Sequence, residues 1–295
     1  MGDWLMEERI KNEILRYFPV QVRDSIIKVA KYKLKDIKEI RIRINRPIIL
    51  KTFTEDIVVN NVKMDKETIN KIFECICSNS IYAFIDEISN GFVTIFGGHR
   101  VGISGKTLYK DGKIYNIKDI SSLNFRVARQ IIGAGDRIIS LIKKNGNFEN
   151  TLIISPPGVG KTTILRDIVR QISNSGYEVS LVDERTEIAA CFNGIPQNDV
   201  GQRTDVMDGV SKNDGIKMMV RSMRPDFVAT DEIGTDDDAE AIVYAINSGV
   251  KVIATAHGNK IQDLNRSEGL KKLIEHGLFK KIVVMNNTEV EVKDF

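Results

Sequence analysis

Apolar and polar residues follow two different rhythms along the 295-residue chain, and the change comes near residue 131. In the front part, Leu5, Ile10, Ile14 and Phe18 fall at mostly helical spacing over residues 4–18, and residues 22–34 read as a second helix. Ile40-Arg41-Ile42-Arg43-Ile44 alternates strictly, the pattern of a half-buried strand, with Pro47 as its end. Residues 66–77 predict a further helix with Ile69, Ile72, Phe73 and Ile76 turned inward. Short strands are expected at Phe92–Phe96, Val101–Ser104 and Lys113–Ile117. Gly97-Gly98, Gly105 and Asp111-Gly112 punctuate them as turns. Residues 1–130 therefore read as a mixed α+β domain.

Behind residue 131 the apolar stretches become continuous: Thr151–Ser155, Val179–Asp183, Phe227–Asp231 and Val250–Ala256, each separated by a helical pattern. Buried strands alternating with helices predict a parallel sheet covered on both faces, an α/β domain over residues 131–295. The chain closes with Ile282–Met285, a turn signal at Asn286-Asn287 and Val290–Val292, an antiparallel hairpin for the sheet edge. There is no internal repeat and no low-complexity segment.

With 42% apolar and 28% charged residues, the chain can bury an ordinary core. Its net charge of +3 is unevenly spread. Residues 1–130 carry 23 Lys and Arg against 16 Asp and Glu, whereas residues 131–295 carry 20 against 24. Such a contrast allows attraction between subunits or to an anionic partner. Cys75, Cys77 and Cys191 fit neither a disulfide framework nor a tetrahedral zinc site, and read as reduced thiols of a cytoplasmic protein. No uncharged apolar run approaches the roughly 20 residues that span a bilayer. Asp3, Glu7 and Glu8 break the apolar residues of the N-terminus, which does not read as a signal peptide. A membrane role is expected through partner proteins, with the chain peripheral to the membrane.

Ser155-Pro156-Pro157-Gly158-Val159-Gly160-Lys161-Thr162 matches the phosphate-loop pattern G-x-x-x-x-G-K-[ST], with Ser155 in place of the first glycine and Thr163 following. A strand ends at Ser155, and a helix is expected from Thr162 to about Ser173, the context this pattern needs. Glycines let the backbone curl toward phosphate oxygens, and the helix N-terminus adds its dipole. Lys161 would bridge the β- and γ-phosphates of ATP, and Thr162 would ligate Mg²⁺. Asp231-Glu232 ends an apolar strand: Asp231 suits the Mg²⁺, and Glu232 suits the attacking water. Alone, such a pair can be a solvated turn; beside the glycine loop it reads as chemistry. Asp183–Glu187 and Thr255-Ala256-His257-Gly258 also follow strands at the carboxyl edge, where open α/β sheets bind ligands. His257 is one of three histidines and the one aimed at this site; a plain strand-capping histidine is the alternative.

These residues, in this order, resemble the ATPases of type II and type IV secretion systems over about residues 120–260. Lys161-Thr162, Asp183–Glu187, Asp231-Glu232 and Thr255–His257 look like that family's Walker A motif, Asp box, Walker B motif and His box. Val220–Asp226 looks like its Arg-rich approach to Walker B. A sporulation-specific branch is a fuller match through Gly98–Gly102, Ser155–Thr163, Asp183-Glu184-Arg185 and Asp231–Gly234. The resemblance implies a C-terminal RecA-like P-loop ATPase domain preceded by a smaller α+β domain. It also implies Mg²⁺-dependent ATP hydrolysis, with Glu232, Glu187 and His257 at the site. It implies a hexameric ring, with nucleotide between subunits, serving a membrane-embedded channel from mother cell to forespore. Arg126 and Arg129 fit the place from which that family's arginines close the site, and Arg221 and Arg224 are further candidates. The Cys₄ zinc module that some type II ATPases carry is missing here. A nucleic-acid-stimulated motor is the second reading, for which Arg41, Arg43 and Arg46 form the best basic patch. Only 7% of residues are aromatic, and no basic-aromatic stripe supports it, so no nucleic-acid partner is expected. A nucleotide-binding scaffold with little turnover is the third.

Overall fold

A computed structural model describes residues 3–78, 80–286 and 290–294. It divides into two compact units, one up to Arg129 and one from Gln130 onward.

The first unit holds helices α1 (Asp3–Arg9), α2 (Val20–Ala30), α3 (Lys66–Ile76) and α4 (Ile85–Ser89). Its strands are β1 (Glu39–Arg43), β2 (Pro47–Lys51), β3 (Asp56–Lys63), β4 (Phe92–Ile95), β5 (His99–Lys110) and β6 (Lys113–Arg126). They form one antiparallel sheet in the order β3-β2-β1-β6-β5-β4. Ile40 and Ile42 of β1 are fully buried, as alternation requires, and Arg41 on the other face pairs with Glu39 at 2.6 Å. Pro47 opens β2 rather than merely closing β1, because a proline in first position costs no ladder bond. β5 and β6 run far beyond the short strands expected. Their outer ends are largely exposed, Tyr109, Ile114 and Tyr115 included, and Asp111 (φ +52) with Gly112 (φ +77) supplies the tight turn between them. The expected helix 22–34 stops at Ala30, where Lys31 takes φ +46 and a 3₁₀ turn, Lys31–Asp36, follows.

The second unit begins with α5 (Asp136–Ile139) and a small hairpin of β7 (Lys143–Lys144) and β8 (Asn147–Phe148). Then come β9 (Thr151–Ser155), α6 (Lys161–Asn174), β10 (Val179–Asp183), β11 (Thr204–Asp208), α7 (Lys212–Met223) and β12 (Phe227–Thr230). α8 (Asp236–Asn247), β13 (Lys251–His257), α9 (Glu268–Glu275), β14 (Lys281–Met285) and β15 (Val290–Asp294) complete it. The seven-stranded sheet has the order β11-β10-β12-β13-β9-β14-β15 and is parallel except for β15. Of the expected turn Asn286-Asn287, the second residue lies outside the described residues. Every residue of β9, β10 and β12 is buried, because helices cover both faces. Ile216, Met219, Ile242 and Leu270 of α7, α8 and α9 pack on one face. Ile138, Leu165 and Ile168 of α5 and α6 pack on the other. The carboxyl ends of β10, β12, β13 and β9 thus lie side by side, and the candidate motifs follow them. Cys75, Cys77 and Cys191 are free thiols. Among the described residues no helix is long and apolar enough to cross a membrane.

Candidate functional site

The buried strand β9 ends at Ser155, and the chain turns through Pro156–Gly160 into α6. Gly158 (φ +81) and Gly160 (φ +94) take backbone conformations that side chains with a Cβ rarely adopt. The turn therefore delivers its amides to the N-terminus of a 14-residue helix, where aligned peptide dipoles favour an anion. Ser155, at the first glycine position of the pattern, is fully buried, and its hydroxyl donates to the Pro156 carbonyl at 3.2 Å. Thr162 and Thr163 are half-buried on the first turn of α6.

Lys161, only 5% exposed, opens that helix. Its ammonium donates to the carbonyls of Ser155 (3.1 Å) and Pro156 (3.3 Å) and to His257 Nδ1 (2.9 Å). An ammonium has no acceptor, so Nδ1 is the bare nitrogen and the ring proton sits on Nε2. That Nε2–H donates to Glu232 Oε1 at 2.8 Å, and Glu232 Oε2 accepts from Arg185 Nη1 at 2.5 Å. Lys161, His257, Glu232 and Arg185 thus form one hydrogen-bonded chain across the ends of β9, β13, β12 and β10. Burial lowers the Lys161 pKa, against the opposing pull of Glu232 and Asp231. Glu232 sits at φ +47, a strained conformation for a residue with a Cβ, held by its amide donating to Thr255 Oγ1 at 2.9 Å. Such strain persists only where surrounding bonds over-determine it.

Asp231 is 1% exposed, and among the described residues neither carboxylate oxygen has a hydrogen-bond partner. Burial and then the charge of Asp183 push its pKa from 3.8 up to about 6, and Lys212 opposes them. Asp183 behaves differently despite equal burial. Its oxygens accept the amides of Glu187, Ile188 and Ala189 at 2.8–2.9 Å, so it builds the turn after β10. Lys212 is 6% exposed and pairs with Glu184. Spacing did not single it out, yet a buried lysine in the first turn of a helix opposes the dipole there and is a readable oddity.

The raised Asp231 pKa makes a testable statement about stability. The folded value lies above the unfolded one, so folding favours the protonated form. That contribution is complete below about pH 4 and is lost as pH rises through about 6, on the order of 3 kcal/mol in all. Asp231→Asn is therefore expected to raise the thermal midpoint of the nucleotide-free protein by several degrees at pH 8. The gain should shrink as the pH approaches 4. Thermal unfolding of both proteins across pH checks this, and a lowered midpoint at pH 8 contradicts it.

The other expected residues lie elsewhere. Glu187 is half-buried in the turn held by Asp183, and its carbonyl accepts from Arg166 at 2.6 Å. Arg126 is exposed at the end of β6, in the first unit. Arg129, in the same unit, donates from Nη2 to the carbonyls of Lys35 (2.5 Å) and Ile37 (3.0 Å) and lies 5.0 Å from the Phe53 ring centre. Arg221 and Arg224 line a cavity of about 400 Å³ with Pro225 and Tyr244. Residues 224–226 and 248–250 lead into the amino ends of β12 and β13, so this cavity lies at the opposite sheet edge from Glu232 and His257 of the same chain.

A family model described as sporulation stage III, protein AA, matches residues 8–293. The chain belongs to that family. The stage III sporulation protein AA of Bacillus subtilis (strain 168) is 37% identical over 94% of this chain and 92% of its own length. Among solved structures, the pilus retraction motor PilT with bound ADP superposes with a TM-score of 0.62 at 14% identity, covering 93% of this chain and 81% of that one. The ATPase DotB of Legionella pneumophila gives 0.60 at 15% identity, covering 93% and 79%. At these identities the likeness shows the fold alone: an α/β domain built on a mainly parallel sheet, preceded in the chain by a smaller α+β domain.

Proposed function

We propose that this chain is a Mg²⁺-dependent ATPase of the secretion type that powers a channel-like complex during sporulation. One observation carries the reading. The glycine loop, Lys161, His257 and Glu232 converge in a continuous hydrogen-bonded chain, next to a buried Asp231 carboxylate that has no hydrogen-bond partner among the described residues. A buried carboxylate without hydrogen bonds is costly, and a hard, hydrated cation is the partner its chemistry fits. Asp231 and the Thr162 hydroxyl would hold Mg²⁺, which when bound supplies charge neutralisation for the phosphates.

The protein's own groups do the rest. The loop from Ser155 to Gly160, with Thr162 and Thr163, cradles the phosphates at the start of α6. Lys161 is already charged and aimed along the loop; it exchanges His257 for phosphate oxygens. Glu232 orients the attacking water and takes its proton, and His257, donating through Nε2, holds the carboxylate in place. Glu187, on the neighbouring turn, is the next candidate base. Six copies in a ring, with an arginine from one copy reaching the nucleotide of the next, would supply the missing charge on the γ-phosphate. Arg221 and Arg224 at the far sheet edge, like Arg126, would then act in trans. The ring would dock on membrane proteins from the cytoplasmic side.

Purified protein is expected to release phosphate from ATP only with Mg²⁺, and single-stranded DNA or RNA should leave the rate unchanged. Arg126 gives the cleaner test of the ring, since removing Arg129 also strips bonds from two carbonyls of its own unit. Arg126→Ala should bind ATP and fail to hydrolyse it. Mixed with Lys161→Ala after subunit exchange, it should recover activity, because some interfaces join an intact loop to an intact arginine. No recovery once exchange is demonstrated by labelling would contradict action in trans.

A further inference from the structure

In the first unit, β5 and β6 outlast the sheet that holds them. β4 pairs with β5 only as far as Gly102, and β1 with β6 only as far as Ser122. From Lys106 to Lys118 the two strands pair with each other alone among the described residues, a ribbon with both edges open. It carries Lys106, Lys110, Lys113 and Lys118 against the single acid Asp111. We propose that the lysine-bearing face of this ribbon binds the surface of an anionic lipid bilayer directly. The inference concerns the first unit and stands apart from the ATPase reading.

The register gathers the charge on one face. Lys106 lies opposite Lys118, Leu108 opposite Asn116 and Lys110 opposite Lys113. Side chains alternate along a strand, so these six residues share a face about 13 Å long from the first lysine pair to the last. Tyr115 is the extra residue of β6 where the register shifts, and the Lys110 ammonium stands 5.8 Å from its ring centre, which brings the ring to the same face. On the reverse face Ile117 packs half-buried against the core of the unit, so the lysine face is turned to solvent. At the root, a Cβ on Gly105 would stand 2.6 Å from the Lys118 carbonyl, so glycine is required where the register shifts and the ribbon bends.

Like charges directly opposite each other weaken a ladder, and here two such pairs occur within five residues of β5. None of the four lysines has an ion pair among the described residues, and the nearby Asp119 is taken by Lys66 at 3.2 Å. The unmet charge calls for an anion from outside the chain.

The other side chains decide which anion. Tyr109 is 68%, Tyr115 43% and Ile114 40% exposed at the tip. Tyrosine has an apolar body and a polar end, which suits the headgroup level of a bilayer. Lysine stems lie along apolar surface while their ammoniums reach phosphates. Single-stranded nucleic acid is the poorer fit. The ribbon has no arginine for bidentate phosphate contacts, Lys110 stands over the Tyr115 ring, and Tyr109 lies on the other face, so there is no row of stacking platforms. Each lysine close to an anionic bilayer raises binding about fivefold, so four together form an anchor of real strength.

Cosedimentation of the full chain with vesicles tests the proposal. One set holds phosphatidylglycerol and phosphatidylcholine in equal parts, the other phosphatidylcholine alone. Wild-type protein should bind the first set, leave the second, and be released by high salt. Replacing Lys106, Lys110, Lys113 and Lys118 together by glutamine should weaken binding at least about a hundredfold. Lys106→Gln with Lys118→Gln should fall between, and Tyr115→Ser should weaken binding severalfold. All these side chains are exposed, so circular dichroism should show each variant folded. Glutamine at the exposed Lys144, Lys272, Lys280 and Lys293 of the second unit removes the same charge and should cost less than about tenfold. Absence of binding to the anionic vesicles would overturn the proposal and leave the lysines as guards of two open strand edges. Equal loss in both fourfold variants would overturn it too, since net charge alone would then explain the binding. So would tighter binding of polyuridylate or polyglutamate than of anionic vesicles, lost in the ribbon variant, which would give the face to a nucleic acid or an acidic protein.

Discussion

Lys161→Ala is expected to lower ATP affinity at least about tenfold and to reduce turnover to background, while leaving the protein folded. A charged hydrogen bond is worth about 1.5–3 kcal/mol, and this ammonium is the one cation built into the loop. The structure also says why folding should survive. The ammonium serves two carbonyls at the loop, Ser155 and Pro156; without it the buried Ser155 carbonyl keeps the Gly258 amide at 3.2 Å, and Pro156 is half-buried at the turn. Alanine is a good helix former at the first position of α6. A buried cation whose pKa burial has lowered is removed at the same time. Isothermal titration and circular dichroism on one preparation check both halves. Unchanged ATP affinity in a folded variant would remove the site from the loop.

Glu232→Gln is expected to keep ATP and to hydrolyse it about 10²–10⁴-fold more slowly. An amide matches the carboxylate in shape, and its one oxygen keeps either the His257 or the Arg185 hydrogen bond, the other being lost because the NH₂ group cannot accept. It cannot take a proton from water. Because the strained φ of Glu232 is set by its amide bond to Thr255, the substitution leaves the backbone constraint intact. Single-turnover hydrolysis isolates the chemical step. A variant that keeps most of that rate would move the base elsewhere, with Glu187 next in line.

Much of the second unit was legible because its strands are buried on both faces. β9, β10, β12 and β13 read as continuous apolar runs, and each runs into the polar residues of the candidate motifs. β11 was not legible: Thr204–Asp208 is half-exposed and carries two aspartates, so its pairing with β10 is a tertiary fact. The outer halves of β5 and β6 were missed for the same reason, being held by a turn and each other rather than by a core. In the site, spacing brought out Lys161, Asp231, Glu232 and His257, since each follows a strand. It did not bring out Lys212, whose role appears only when α7 lies beside β10 and β12. Nor did it separate Asp183 from Asp231. Both are buried strand-end carboxylates, yet one accepts three amides and the other none. The four arginines looked alike in sequence, and only geometry shows Arg129 donating to carbonyls of its own unit while Arg221 and Arg224 lie at the far sheet edge.

The most direct measurement is the native mass of Glu232→Gln with and without ATP and Mg²⁺. The expected result is retained, unhydrolysed ATP with its Mg²⁺ in a ring of six chains, and its loss when Lys161→Ala is added. A protein that carries no nucleotide under these conditions contradicts the account.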